Sequence, residues 1–245
     1  MRAIILAAGV GRRMAPFTDS LPKCLLPVGG RSLLERMLTS LDLVGAEEAL
    51  LVVGHCQDQI RARIGPRFGR LPMRYVENPD YPKGSIRSLW SCRHDLAGDL
   101  LVMDADVLFP SEILRRLITA PAPSAFLLDA NFADTGEEMK LFVRGDRVVA
   151  IGKTVRPGVY DRVGEGVGFF KCAAAHSRLL RECVEEIVAQ GDEGNEYEDA
   201  LDRLLRLAKV GYVDISGFPW TEIDFLQDLR RAETDVLPRI ERVAA

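Results

Sequence analysis

The sequence lacks the features that would hold or anchor a chain from outside its own core. No two cysteines form a CxxC pair, and the five present (Cys24, Cys56, Cys92, Cys172 and Cys183) are odd in number and widely scattered. Neither a zinc site nor a disulfide framework is indicated, and reduced, mostly buried thiols in a cytoplasmic protein are the expectation. No apolar run approaches the roughly 18 residues of a membrane span. The N-terminus is apolar only over residues 3–8 before it turns into Gly9-Val-Gly-Arg-Arg, which is not the pattern of a secretory signal. An excess of positive charge is also absent. Lys and Arg total 32 against 36 Asp and Glu, a net charge of −4, which argues against a general nucleic-acid binder. No repeat, low-complexity tract or linker interrupts the chain. What is present is 245 residues, 47% hydrophobic and 28% charged, about 1.6 typical domains by length. That is enough chain to bury a core without disulfides or metals, and a single domain over residues 1–245 is expected.

Charge is unevenly spread. Residues 1–36 hold six basic groups (Arg2, Arg12, Arg13, Lys23, Arg31, Arg36) against Asp19 and Glu35, a local +4 that leaves −8 on the other 209 residues. A basic segment on an acidic chain points to a local anionic ligand or to a plain solvated surface. Residues 2–8 are a short apolar run ended by Gly9 and read as a buried, parallel-type strand. Residues 9–30, punctuated by glycine and proline, read as a long loop, functional or disordered. Ser32-Leu-Leu-Glu35 is a capping box, with Leu33, Leu34, Met37, Leu38 and Leu41 following at helical spacing. Buried strands are expected at 49–54, 73–77 and 99–103, with helices at 57–64 and 86–96. This alternation implies an α/β fold with a mostly parallel sheet flanked by helices. After Pro110 the pattern changes. It gives a helix at 111–120, a strand at 124–130 and a hairpin of 139–144 and 147–152 around Gly145-Asp146. A strand at 167–171, amphipathic helices at 173–190 and 197–209, a strand at 210–215 and a helix from 223 follow. This half is expected to add antiparallel strands and a lid.

The densest motif is Leu6-Ala7-Ala8-Gly9-Val-Gly11-Arg-Arg13-Met14, followed by Leu21-Pro22-Lys23. Glycines let backbone N–H groups approach a ligand, and successive N–H groups in such a turn form an anion-binding nest. Arg13 and Lys23 add full positive charges. A dinucleotide fingerprint is excluded, because Met14 stands where the third glycine of G-x-G-x-x-G belongs. Leu100-Leu-Val-Met-Asp104-Ala-Asp106 is an apolar strand ending in carboxylates, at the strand end where open α/β sheets place ligands. Asp104 and Asp106, two apart, share a face if the strand persists, and magnesium takes one or two carboxylates plus substrate phosphates. A turn aspartate is the plain alternative for either. In Trp220-Thr-Glu-Ile-Asp224-Phe-Leu-Gln-Asp228, spacing alone makes Asp224 a helix N-cap. Asn78-Pro-Asp-Tyr-Pro-Lys-Gly84-Ser85-Ile-Arg-Ser88-Leu-Trp90 is a small-polar turn opening a helix. It can read a base edge through backbone groups and a hydroxyl, or simply cap that helix through Ser85. His55, His94 and His176 show no spacing to a Ser or Cys partner that suggests a triad and take no role.

Leu-Ala-Ala-Gly-x-Gly-x-Arg-Met with the downstream Pro-Lys resembles the signature loop of the nucleotidyltransferases that make NDP-sugars and CDP-alcohols. The likeness covers the N-terminal half well and then scattered positions. It implies a Rossmann-like sheet, with residues 1–119 as the nucleotide-binding half and 120–245 as the acceptor-binding, lid half. It implies that Leu6, Ala7, Ala8, Gly9 and Gly11 wrap the nucleoside triphosphate and that Arg13 and Lys23 neutralise its phosphates. Asp106 and Asp224 would hold Mg²⁺, with Asp104 in support. Asn78, Gly84 and Ser85 resemble the base-binding segment of the cytidylyltransferase branch, although Gly84-Ser85 stands where that branch often has Asn-Asn or Gly-Asn. Lys153 matches the lysine that meets the acceptor phosphate, with Lys140 as its competitor. Glu165, in the turn Gly164-Glu-Gly166, and Trp220 would face the acceptor's other end, with Trp90 as a further aromatic.

The implied reaction is transfer of CMP from CTP to a small phosphonate or phospho-alcohol, with release of pyrophosphate. The short chain, without the C-terminal hexapeptide repeats of some sugar-1-phosphate enzymes, and the Glu-Ile-Asp segment favour that branch. The alternatives are a hexose-1-phosphate nucleotidyltransferase using UTP or dTTP, and a catalytically silent nucleotide-binding regulator. No nucleic-acid or membrane partner is expected, the expected location is cytoplasmic, and the oligomeric state is left open.

Overall fold

The structure, a computed structural model, describes residues 1–154, 158, 160–191 and 194–244. The chain divides into two units, one made of Met1–Pro82, Met103–Arg115 and Phe218–Ala245, the other of Lys83–Val102 and Arg116–Gly217.

In the first unit the apolar runs become parallel strands. Arg2–Ala7 pairs with Glu48–Val53, Arg2 opposite Glu48 through Ala7 opposite Val53, and Glu48–Val53 pairs in the same sense with Leu71–Glu77. Ala49 through Val53 are fully buried, because helices cover both faces of such a sheet and no alternation with polar residues is needed. The helix Leu33–Leu43 starts at the expected box: the Glu35 N–H donates to Ser32 Oγ and the Ser32 N–H to Glu35 Oε2. The helix Gln57–Ile64 has the expected bounds.

Two expectations for this unit are corrected. Residues 9–30 are not one irregular loop. They hold helical turns at Arg12–Met14 and Lys23–Leu25 and the short strand Pro27–Val28, which pairs antiparallel with Arg31–Ser32 just beyond them. Elements of two or three residues carry no period by which a sequence could announce them. Nor is the chain helical from residue 223. Thr221–Glu222 is a short strand, antiparallel to Val107–Leu108. Helix begins at Leu226, widens over Ala232–Val236 and continues as Leu237–Ala244. Met14, Leu26, Val28, Leu108, Ile223, Val236 and Leu237 form one buried cluster, which fastens the glycine loop, the acidic strand end and the C-terminal helices to the same core.

The second unit is built on the antiparallel strand Arg162–Cys172, which pairs with Lys140–Arg144 on one side and Ala125–Asp129 on the other. Lys140–Arg144 and Arg147–Gly152 form the expected hairpin, and Gly211–Asp214 runs parallel to Ala125–Asp129. The central strand is longer than the expected 167–171, since Gly164-Glu-Gly166 lies within it rather than in a turn. A Cβ on Gly164 would meet the Leu128 side chain at 2.5 Å and the Asp129 carbonyl at 2.8 Å. Glycine is there to let two strands approach. The helix expected at 86–96 closes early, as Ile86–Ser91 followed by a tight turn at Arg93–Asp95. Among the described residues no helix is long and apolar enough to cross a membrane. The observed α/β fold, mostly parallel with an antiparallel addition, is the expected class.

Candidate active site

Because Arg2–Ala7 ends level with Val53, the chain leaves the sheet at Ala8 and Gly9. Gly11 adopts a left-handed φ of 67°, and Met14 plugs the following turn into the core with no exposure. The turn at Lys23–Leu25 then returns Lys23 to the strand ends. The pairing of Thr221–Glu222 with Val107–Leu108 brings the late acidic segment to the same place, where the Ile223 N–H donates to the Asp106 carbonyl at 3.1 Å.

The side chains converge accordingly. Lys23 Nζ is 2.7 Å from Asp106 Oδ2 and 2.7 Å from Asp224 Oδ1. Arg13 Nη1 lies 3.1 Å from Asp224 Oδ2, and its guanidinium sits 5.5 Å from the centre of the Phe225 ring. Four residues singled out for charge chemistry thus share one network. Leu6, Ala7, Gly9, Gly11, Lys23, Cys24, Ala105 and Asp106 line a cavity of about 130 Å³, below the roughly 300 Å³ at which drug-sized pockets begin. It suits a phosphate-sized group rather than a whole nucleotide.

Burial would disfavour the Lys23 ammonium, but Asp106, Asp224 and Glu222 outweigh it and raise its pKa, so Lys23 is a fixed cation. Burial, reinforced by Asp106, pushes the Cys24 thiol up to about 12, which removes it as a nucleophile.

Glu222 is the site residue that the sequence analysis passed over. Oxygens of Asp106, Glu222 and Asp224 lie within 4.8 Å of one another. The signal was the alternation in Thr221-Glu-Ile-Asp224, which turns Glu222 and Asp224 to one side of an extended segment. Glu222 is exposed as a residue, yet protein atoms crowd its carboxyl. That desolvation, with Asp106 and Asp224, raises its pKa well above the ordinary range. Asp106 Oδ1 is buried with no hydrogen-bond partner among the described residues. An orphaned carboxylate oxygen beside two further carboxylates is a hard-oxygen donor set that fits a divalent cation such as Mg²⁺. Asp104 closes the strand Leu100–Asp104 outside this group of three, adding negative charge near Glu222.

The remaining candidates are dispersed. Asn78 is fully buried, and its Oδ1 accepts the Asp80 N–H at 3.0 Å, so it shapes the turn. Gly84 abuts the backbone of Gly194 and Asn195. Ser85 precedes the helix Ile86–Ser91 without capping it. Its Oγ instead accepts the Tyr197 N–H at 2.8 Å, leaving the hydroxyl proton to donate. Lys153 is partly exposed, its Nζ 3.7 Å from Glu196. Its competitor Lys140 is 2% exposed, donates to the Lys153 carbonyl at 2.7 Å and pairs with Asp134 at 2.8 Å, which is a structural role. Glu165 lies mid-strand opposite Lys140 and Asp129. Trp90 carries the Arg93 guanidinium 4.1 Å from its ring centre, so that face is taken. Trp220 is half-buried. Two of the three histidines have a Ser or Cys neighbour in the fold, neither in a catalytic triad. Ser124 Oγ lies 2.8 Å from His176 Nδ1, but Ser124 is fully buried and accepts the Ala173 N–H, which makes a structural knot rather than a nucleophile. His55 has Cys56 Sγ 3.3 Å from Nε2.

The family model for a MobA-like NTP transferase domain matches residues 3–153. A bifunctional IPC transferase and DIPP synthase of Rubrobacter xylanophilus is 35% identical over 241 residues, covering 96% of this chain and 52% of the relative. A CMP-5'-(3-aminopropyl)phosphonate synthase of Streptomyces rubellomurinus is 30% identical over 264 residues, covering 99% of this chain and 40% of the relative. The chain therefore spans about half the length, or less, of these curated relatives. The solved CTP:phosphocholine cytidylyltransferase of Streptococcus pneumoniae has a TM-score of 0.76 at 23% identity, covering 95% of this chain and 97% of that one, which shows a shared fold.

Proposed function

This chain belongs to the MobA-like NTP transferase domain family, and we propose that it transfers CMP from CTP to a small phosphonate or phospho-alcohol, releasing pyrophosphate. The observation that carries the reading is the network of Lys23 at 2.7 Å from both Asp106 and Asp224, set beside a phosphate-sized cavity floored by the glycine loop. The names of the relatives, a CMP-phosphonate synthase among them, support cytidylyl transfer and a small phosphorylated acceptor. In this reading an acceptor phosphoryl oxygen, already anionic at neutral pH, attacks the α-phosphorus. The bond from that phosphorus to the bridging oxygen breaks, and pyrophosphate leaves with both electrons of that bond. No general base is needed, and the chain's task is positioning and charge neutralisation.

Arg13 and Lys23 meet the triphosphate, and the loop N–H groups from Gly9 onward orient it. Asp106 and Asp224, with Glu222 beside them, would hold Mg²⁺, which when bound supplies Lewis-acid neutralisation of phosphoryl oxygens. Gly84 and Ser85 serve the base, and Lys153 meets the acceptor's phosphoryl end, with Glu165 and Trp220 toward its other end. The whole chain acts as one transferase domain in the cytoplasm, where its free cysteines stay reduced. The test is a pyrophosphate-release screen of the four NTPs against phosphonates, phospho-alcohols and hexose-1-phosphates. The expected result is fastest turnover with CTP and a phosphonate or phospho-alcohol. Faster turnover of UTP or dTTP with a hexose-1-phosphate overturns the branch, and no release with any pair overturns the activity.

A further inference from the structure

His55 touches both limbs of the glycine loop. The strands Arg2–Ala7 and Glu48–Val53 run parallel in register, so the turn after Val53 lies beside Ala8. There the His55 backbone N–H donates to the Ala8 carbonyl at 3.1 Å. The next residue, Cys56, takes a left-handed φ of 47° that opens the helix Gln57–Ile64. The His55 ring extends to the far limb, its Nε2 2.9 Å from the Thr18 carbonyl oxygen. A carbonyl oxygen only accepts, so Nε2 carries the proton. Thr18 is buried and passes the restraint inward, Oγ1 donating to the Gly11 carbonyl at 2.8 Å. Gln59 adds a second tie, Nε2 to the Ser20 carbonyl at 2.6 Å. The segment from Gly9 to Phe17, which carries Arg13, is therefore closed by one residue that lies outside it.

We propose that His55 is a positioning residue for the triphosphate site: by joining Thr18 to Ala8 it holds the backbone of the glycine loop in its ligand-binding form before the nucleotide arrives. The proposal rests on the reading of that loop as the triphosphate site. A loop released from its tie must be ordered by the ligand, and that entropy is taken from affinity. The loss falls on nucleotide KM, since the bound nucleotide has already ordered the loop, Arg13 included, before the transition state is reached.

The test compares His55→Phe, which keeps a ring and removes the donor, with His55→Gln, which keeps a side-chain N–H. For His55→Phe the KM for CTP is expected to rise about tenfold, equivalent to ~1.4 kcal/mol and to one intramolecular hydrogen bond, with kcat changed less than about threefold. His55→Gln is expected to recover most of the loss. Hydrogen exchange of residues 9–20 in the nucleotide-free protein is expected to quicken in His55→Phe and to stay near wild type in His55→Gln. An unchanged KM in a folded His55→Phe variant, an equal rise in both variants, or unaltered exchange overturns the proposal. Lys23→Ala is measured alongside. If it leaves CTP kinetics unchanged, the triphosphate reading fails, while the exchange experiment still decides whether His55 ties the loop.

Discussion

The two units differ in how their sequence becomes a site. In the first, Arg13, Lys23, Asp106 and Asp224 come from three separate stretches of chain and meet in one ion network. In the second, most of the polar residues that drew notice are engaged by the fold itself. Lys140 holds Asp134 and the Lys153 carbonyl, Ser85 holds Tyr197, and Glu165 stands within a strand. Under the proposed function the difference follows from the ligands. A triphosphate has one charge pattern, and the chemistry that meets it is always backbone N–H groups, cations and hard carboxylates. A small acceptor needs only a few contacts drawn from distant elements, so its residues look like any surface lysine or strand glutamate.

The sharpest way to break this contrast is to remove one carboxylate. Asp106→Asn keeps the shape and removes the charge, and turnover is expected to fall by at least roughly 10³ with the circular dichroism spectrum unchanged. Full activity in excess chelator would show instead that the acidic group serves the fold alone. Lys23→Ala is the next largest. The loss of one preorganised cation is expected to lower kcat/KM by roughly 10²–10³. Near-wild-type kinetics in the folded variant would place the first unit's cations in the same structural class as Lys140.

Much of the first unit was legible because its signals are local. The capping box at Ser32 and Glu35, the unbroken apolar strand at 49–53 and the loop from Gly9 to Lys23 each declare themselves within a few residues. What escaped notice depended on contacts distant in sequence. Gly164 looks like a turn until Leu128 is seen against it. The Ser124–His176 pair spans 52 residues. Glu222 was hidden by its neighbour, since Asp224 already answered to the expected metal position. The alternation that turns both acids to one side spans four residues, and only Thr221–Glu222 of them are strand, so the signal is brief.

Lys153 and Lys140 sharpen the comparison within the second unit. Lys153→Ala is expected to raise the acceptor's KM about tenfold, the scale of one hydrogen bond to a charged group, and to leave the KM for CTP unchanged. Lys140→Met leaves a buried carbonyl without its donor and is expected to cost about 1–3 kcal/mol of stability, read from urea unfolding. If the two variants exchanged phenotypes, the acceptor lysine would have been chosen wrongly.

The smallest effect concerns Glu222 and is read without turnover. Desolvation first, then Asp106 and Asp224, raise its folded pKa above the ordinary 4.5. The folded state therefore binds this proton more tightly than the unfolded state does. As pH rises from 4.5 through the raised value, the unfolded state gives up this proton first, so folding must either take a proton up or hold the carboxylate desolvated, and the stability of the metal-free protein falls. Glu222→Gln removes that group. In the presence of chelator it is expected to have a higher Tm than the wild type at pH 8, with the difference shrinking toward pH 4.5. Added Mg²⁺ should reverse the order, because the wild type alone keeps the third carboxylate and a bound cation stabilises the state that holds it. If the pH 8 gain were absent with chelator, Glu222 would be an ordinary surface acid. If the gain persisted undiminished in Mg²⁺, Glu222 would be a neighbour of the cation site and not one of its ligands.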